Sequence, residues 1–212
     1  PLQVNSIKQF LENIWLVERD FNKVLDIWAR TTTFYGRNVH HGISSSLNNT
    51  FSDIFFQNYA TEKEQGLLKL KEIISTYNGI KPIDEPFFNI IISRCVIWED
   101  KDVIDSIYSA YTLYNLKKSP ISRRVYLKSL GSVEVSSEDI LTAWLDLLKH
   151  NDLEGYTYIA NADWAALRDA TVNSTFLHKK HSESTVNVFP MDLLYCQIVD
   201  KFKDYCRDFG QL

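Results

Sequence analysis

The stretch Tyr77-Asn78-Gly79-Ile80-Lys81-Pro82-Ile83-Asp84-Glu85-Pro86-Phe87-Phe88-Asn89-Ile90-Ile91-Ile92 decides how the chain is read. Asn78 and Gly79 both tolerate positive φ and mark the end of a helix. Pro82 and Pro86 then push the residues before them out of the helical region. From Phe87 the apolar side chains return at helical spacing as far as Trp98. Upstream, Leu67, Leu68, Leu70, Ile73 and Ile74 stripe a helix running to about Tyr77, with Thr61 and Glu64 at capping-box spacing before it. The stretch is a junction: one helix stops, the chain turns, and another starts.

The same unit recurs along the chain. Asp100 caps a helix striped by Val103, Ile104, Ile107, Tyr108 and Tyr111, with Lys117 and Lys118 at its C-terminal side and Pro120 as its stop. Ile121 to Leu130 is the next first helix. Ser136 and Asp139 then cap a partner striped by Ile140, Leu141, Trp144, Leu145 and Leu148. Tyr156 to Leu167 opens a further unit. Aligning the first helices sets Ser52, Asn89, Val125 and Ile159 in register at intervals of 37, 36 and 34 residues. Helix pairs at a period near 35 predict an all-α helical-hairpin repeat solenoid, in which each unit buries its face against its neighbours. The expected organisation is an N-terminal helical segment over 1–31, a polar loop over 32–49 and repeats over 48–172. A second polar loop over 173–189 and a C-terminal helix over 190–212 complete one continuous domain.

Composition bounds the function. The chain has 212 residues, 45% of them hydrophobic and 24% charged, which is ordinary globular usage. No apolar run approaches the roughly 18 residues that cross a bilayer as a helix. Three cysteines with no C-x-x-C predict neither a disulfide framework nor a structural zinc site, and they read as reduced core residues. A net charge of −4 means that any nucleic-acid footprint must be local. Pro1 opens the chain without an initiator Met, compatible with a removed targeting peptide or a trimmed start. Phosphate-loop, dinucleotide, zinc-protease and nucleophile-elbow motifs are all missing from the sequence, so catalysis, a cofactor and a metal are not expected.

The junction at Gly79–Ile92 resembles that between two pentatricopeptide repeats, where G-I-x-P-D is followed by an aromatic–Asn–aliphatic helix start. Thr157-Tyr158 is similar to the T-Y that opens such a helix, and the resemblance covers about residues 48–170. The aromatic-rich, divergent form is similar to the RNA-binding repeat proteins of fungal mitochondria. It implies capture of single-stranded RNA, a mitochondrial transcript, on the face made by the first helices, together with a place in the mitochondrial matrix. Stabilisation, processing or translation of that transcript would be the purpose, alongside other proteins of organellar gene expression. In the family the fifth and the last residue of a repeat contact one base together. Carried over, this pairs Ser52 with Asp84 and Asn89 with Ser119, whereas Val125 and Ile159 stand where a polar base-reading residue is usual.

Residue chemistry supplies a patch of its own. Arg123, Arg124 and Lys128 lie in one first helix, just after Lys117 and Lys118, and are candidates for phosphate contact. Phe87, Phe88, Tyr126, Tyr156 and Tyr158 are rings of the kind that stack on bases. His178, Lys179, Lys180 and His181 form a second basic run in the later polar loop. The same solenoid leaves a different class open, a protein-interaction scaffold whose groove takes a partner helix or peptide. Cations committed to salt bridges would favour that second reading.

Overall fold

The computed structural model describes residues 3–36, 41–183 and 189–205. Among them are eleven α-helices and short 3-10 turns, as the helical periodicity predicts. Packing divides the chain into two compact units, Pro1–Trp98 and Glu99–Leu212.

The first unit holds α1 (Val4–Glu18), α2 (Phe21–Tyr35), α3 (His41–Asn58), α4 (Lys63–Ile80) and α5 (Glu85–Cys95), with a 3-10 turn over Val96–Trp98. Helix α3 packs against α1 on one side and α5 on the other, and α2 packs against α4. Alternate helices therefore form rows, which is how stacked hairpins bury their apolar faces. Four rings from four helices stack through the middle. Phe51 lies 4.1 Å from Trp28, Trp28 lies 5.8 Å from Tyr77, and Tyr77 lies 4.3 Å from Phe87, with interplanar angles of 10°, 14° and 19°. Buried Asn48 serves two of them: its Oδ1 accepts from Trp28 Nε1 at 3.0 Å, and its Nδ2 donates to the Tyr77 hydroxyl at 3.1 Å. Burial pushes the Tyr77 hydroxyl up to about 12, so it stays protonated.

The second unit holds α6 (Lys101–Leu113), α7 (Pro120–Leu130), α8 (Ser137–Leu153), α9 (Asn161–Ala170), α10 (Thr175–Glu183) and α11 (Phe189–Phe202), ending in a 3-10 turn over Lys203–Tyr205. Helix α7 packs against α6, α8 and α9, and α8 also meets α11. The core gathers Leu127, Leu130, Trp144, Leu147, Trp164 and Leu167 with Leu194 and Ile198 of α11. Ser136 and Asp139 form the expected reciprocal capping box at the start of α8. Gly131 lets the end of α7 approach α9: a Cβ there would stand 2.0 Å from the Asp169 carbonyl oxygen.

Several boundaries differ from the sequence reading. The expected polar loop at 32–49 is helical at both ends, because α2 runs through Tyr35 and α3 begins at His41. Its Ser and Asn residues read as loop by composition, yet Leu47, Asn48 and Thr50 are buried, Asn48 against Trp28 and Tyr77 of the ring stack. The expected loop at 173–189 contains α10. Helix α4 starts at Lys63 without a side-chain cap and continues through Gly79 to Ile80, while Asn78 Oδ1 accepts from Ile83 N. Helix α9 starts at Asn161 rather than Tyr156. Cys95 is buried but Cys196 is exposed, and Cys206 lies outside the described residues, as does the rest of 206–212.

Asn48→Ala would strand two buried donors and acceptors at once. The expected cost is about 3 kcal/mol, with thermal unfolding followed by tryptophan fluorescence lowered by roughly 6–12 °C. An unchanged midpoint would contradict the role given to Asn48.

Candidate nucleic-acid interface

Helix α7 begins at Pro120, whose missing N–H costs nothing in the first turn, and Ser119 accepts from Ile121 N as its cap. Its three cations reach two different helices, Arg123 towards α8 and both Arg124 and Lys128 towards α9. Arg123 Nε lies 3.0 Å from Asp146 Oδ2 on α8, and the same guanidinium donates to the Lys118 carbonyl. Arg124 Nε stands 2.9 Å from Asp163 Oδ1 on α9. Lys128 Nζ is 3.2 Å from Asp169 Oδ2, also on α9, with 68% of its side chain exposed. Nearby, Lys117 bonds Glu154 at 3.0 Å and Lys118 sits 4.0 Å above the Tyr108 ring. All five cations of the sequence patch are engaged within the second unit.

Asp163 is the buried member of this set. Its Oδ2 accepts from Asn151 Nδ2 at 3.0 Å and from Ala160 N at 3.2 Å, joining the end of α8 to the start of α9. Its Oδ1 is close to Arg124 Nε but not aligned with it for a hydrogen bond, so the attraction there is one of charge. Burial pushes the Asp163 carboxyl above its usual range, while Arg124, Ala160 N and Asn151 pull it back down. Arg123 and Arg124 thus pin α7 to α8 and α9.

The base-reading candidates of the first unit fall on α3 and α5. Ser52 is buried on α3. Asp84 caps α5, its Oδ1 accepting from Phe87 N at 3.0 Å, and Asn89 lies partly exposed five residues further along that helix. A polar link between the two helices escaped the sequence reading. Arg94 of α5 donates to Asn49 Oδ1 at 2.6 Å and to Asp53 Oδ1, both on α3. Asn49 and Asp53 are one turn apart on a single face, a signal lost once the residues up to 49 are taken as loop. The basic run His178–His181 lies on α10, where Lys179 pairs with Glu99 at 2.5 Å.

The rings also separate. Phe87 and Phe88 are core, and Tyr126 stacks on Tyr108 at 4.0 Å while its hydroxyl donates to Asp105 at 2.7 Å. Tyr156 and Tyr158 are exposed.

Comparison with known proteins places this geometry. The chain matches the RMD9 middle domain over residues 1–117 and the RMD9 C-terminal domain over residues 153–212. It is 51% identical over 187 residues to "RNA-binding protein RMD9-like, mitochondrial" of Saccharomyces cerevisiae, covering 88% of this chain and 26% of that protein. It is 41% identical over 253 residues to "RNA-binding protein RMD9, mitochondrial" of Eremothecium gossypii, covering 100% of this chain and 38% of that protein. The structure of yeast Rmd9p in complex with a 16-nucleotide target RNA aligns with a TM-score of 0.89 and 44% identity, over 100% of this chain and 41% of that one. The chain therefore spans between 26% and 41% of the length of these relatives.

Arg124→Ala would leave the Asp163 carboxylate buried without its countercharge, at an expected cost of about 3 kcal/mol near neutral pH. A carboxyl raised in the folded state contributes stability while protonated, and that contribution is lost as pH rises through its folded value. Removing Arg124 raises it further. Urea unfolding should therefore show a larger loss at about pH 7.5 than at about pH 4.5, and equal losses would contradict the assignment.

Proposed function

Because the chain belongs to the RMD9 family, we propose that it binds single-stranded RNA in mitochondrial gene expression without catalysing a reaction. The observation that carries this reading is the likeness along the whole chain to yeast Rmd9p solved with a 16-nucleotide RNA. Bound transcript would be shielded from nucleases or held open for processing or translation, together with other proteins of organellar gene expression.

Residue chemistry supports the following roles within this proposal. Asp84 and Asn89 offer acceptor and donor groups to the Watson–Crick edge of a base at the start of α5. Ser52 is buried on α3 and is not offered to a base, whereas exposed Asn49, three residues earlier on that helix, presents an accessible amide. Lys128 is the phosphate contact of α7, because an exposed ion pair with Asp169 exchanges at little cost for a phosphate. Arg123 and Arg124 serve the RNA face through their grip on Asp146 and Asp163, which sets where α7 lies against α8 and α9.

A second reading has one observation of its own. Ile7 and Phe10 of α1 with Ile27, Thr31, Phe34 and Tyr35 of α2 line an apolar hollow of about 630 Å³, suited to a partner helix or peptide. The committed cations favour this scaffold reading as well.

Fluorescence anisotropy with a mixed-sequence single-stranded RNA of about 20 nucleotides separates the two. Micromolar or tighter binding that weakens with salt is expected, with Lys128→Glu weakening it further and reducing the salt slope by about 1. No binding at low salt would reject RNA capture by this chain and turn attention to the apolar hollow.

A further inference from the structure

The segment between α8 and α9 builds one wall of a hollow on the second unit. Gly155 carries φ +80°, a left-handed turn open to glycine, and sends the chain away from the end of α8. Tyr156 N is tied back to the Asn151 carbonyl at 3.0 Å, and Ile159 N donates to the Tyr205 carbonyl at 2.7 Å. That second bond clips the 3-10 turn after α11 onto the residues just before α9. Phe202, one turn earlier, anchors the same element edge-on against buried Trp144 at 6.2 Å. Gly155, Tyr156, Ile159, Phe202 and Tyr205 line an open hollow of about 570 Å³, within the volume range of small-ligand sites.

Three tyrosines face this space, Tyr156, Tyr158 and Tyr205, with 54%, 39% and 57% of their surface exposed. Three large rings stand partly in solvent around one hollow and line it, so ring faces are within reach of a base that enters. Asp152 adds a carboxylate acceptor suited to the exocyclic amino group of a base. Lys117, held by Glu154 one residue before Gly155, supplies a cation for the adjoining phosphate. The position is also consistent in register. The hollow lies immediately before a first helix, as Asp84 does before α5.

We propose that Tyr156, Tyr158 and Tyr205 form a stacking pocket for one unpaired nucleobase of the bound RNA, flanked by Asp152 and Lys117. The pocket rests on the RNA-binding reading and adds to it a site without sequence code, since every base has a face on which tyrosine stacks.

The test measures the affinity of the chain for the same mixed-sequence RNA by anisotropy, with Tyr156→Ala, Tyr205→Ala and Tyr156→Phe beside wild type. Ultraviolet cross-linking to that RNA is followed by peptide mapping. Each alanine variant should bind about tenfold more weakly, and Tyr156→Phe within about twofold of wild type because the ring remains. Cross-linked peptides should include residues 156–158 or 205. Wild-type affinity in both alanine variants, with cross-links confined elsewhere, would overturn the pocket while leaving RNA capture intact. Equal losses in Tyr156→Ala and Tyr156→Phe would overturn stacking as its mechanism. A wild-type chain that binds no RNA would remove the parent reading and this inference with it.

Discussion

The stack of Phe51, Trp28, Tyr77 and Phe87 is the contact on which the first unit depends. A helical hairpin has too little apolar surface to hold itself together and is stable only when a neighbour covers it. Here the covering is done by flat rings, one each from α2, α3, α4 and α5, which leaves little freedom for the helices to slide. Rings bring polar edges with them, and a buried indole N–H or phenol hydroxyl is costly when unpaired. Asn48 resolves that for Trp28 and Tyr77 together, so one amide fixes the depth at which α3 sits against α2 and α4. The base-reading candidates Asp84 and Asn89 inherit their positions from this arrangement, because Phe87 places the first turn of α5.

The second unit solves the same problem with charge. Asp163 is almost fully buried and gathers Arg124, Asn151 and the Ala160 amide, one partner from each element that meets there. This explains how an acidic chain can carry a dense basic segment without offering it whole to solvent. Two of the three α7 cations face inward to aspartates, and Lys128 alone of the three keeps most of its side chain in water. Under the proposed RNA binding this shifts the contribution of the arginines from direct phosphate contact to geometry. It also shifts attention from cations to rings. A chain with a net charge of −4 has few phosphate contacts to spend, and stacking does not depend on charge.

The candidate site was legible in the sequence to an uneven degree. The cap at Asp84, the capping box at Ser136 and Asp139, and the start of α7 after Ser119 are local events, settled within a few residues of one another. The partners of Arg123 and Arg124 were not legible, because Asp146 and Asp163 lie 23 and 39 residues away and their spacing carries no periodic signal. The Asn49–Asp53–Arg94 link failed for a different reason. A Ser- and Asn-rich stretch looks like loop when polarity is scored alone, and only burial against rings from other helices makes it helix.

By itself the sequence determined that this protein is a series of helical hairpins with a period near 35, and its junction motif carried the family resemblance. Those features follow from backbone preferences and apolar periodicity, which act over one or two turns of chain. The division into two units, the burial of Asp163, and the separation of core rings from exposed ones were decided by tertiary structure alone. Whether a tyrosine or an arginine faces water depends on what arrives against it from distant parts of the chain. Nothing in a local pattern distinguishes Tyr126, stacked on Tyr108, from Tyr156, left open beside Tyr205.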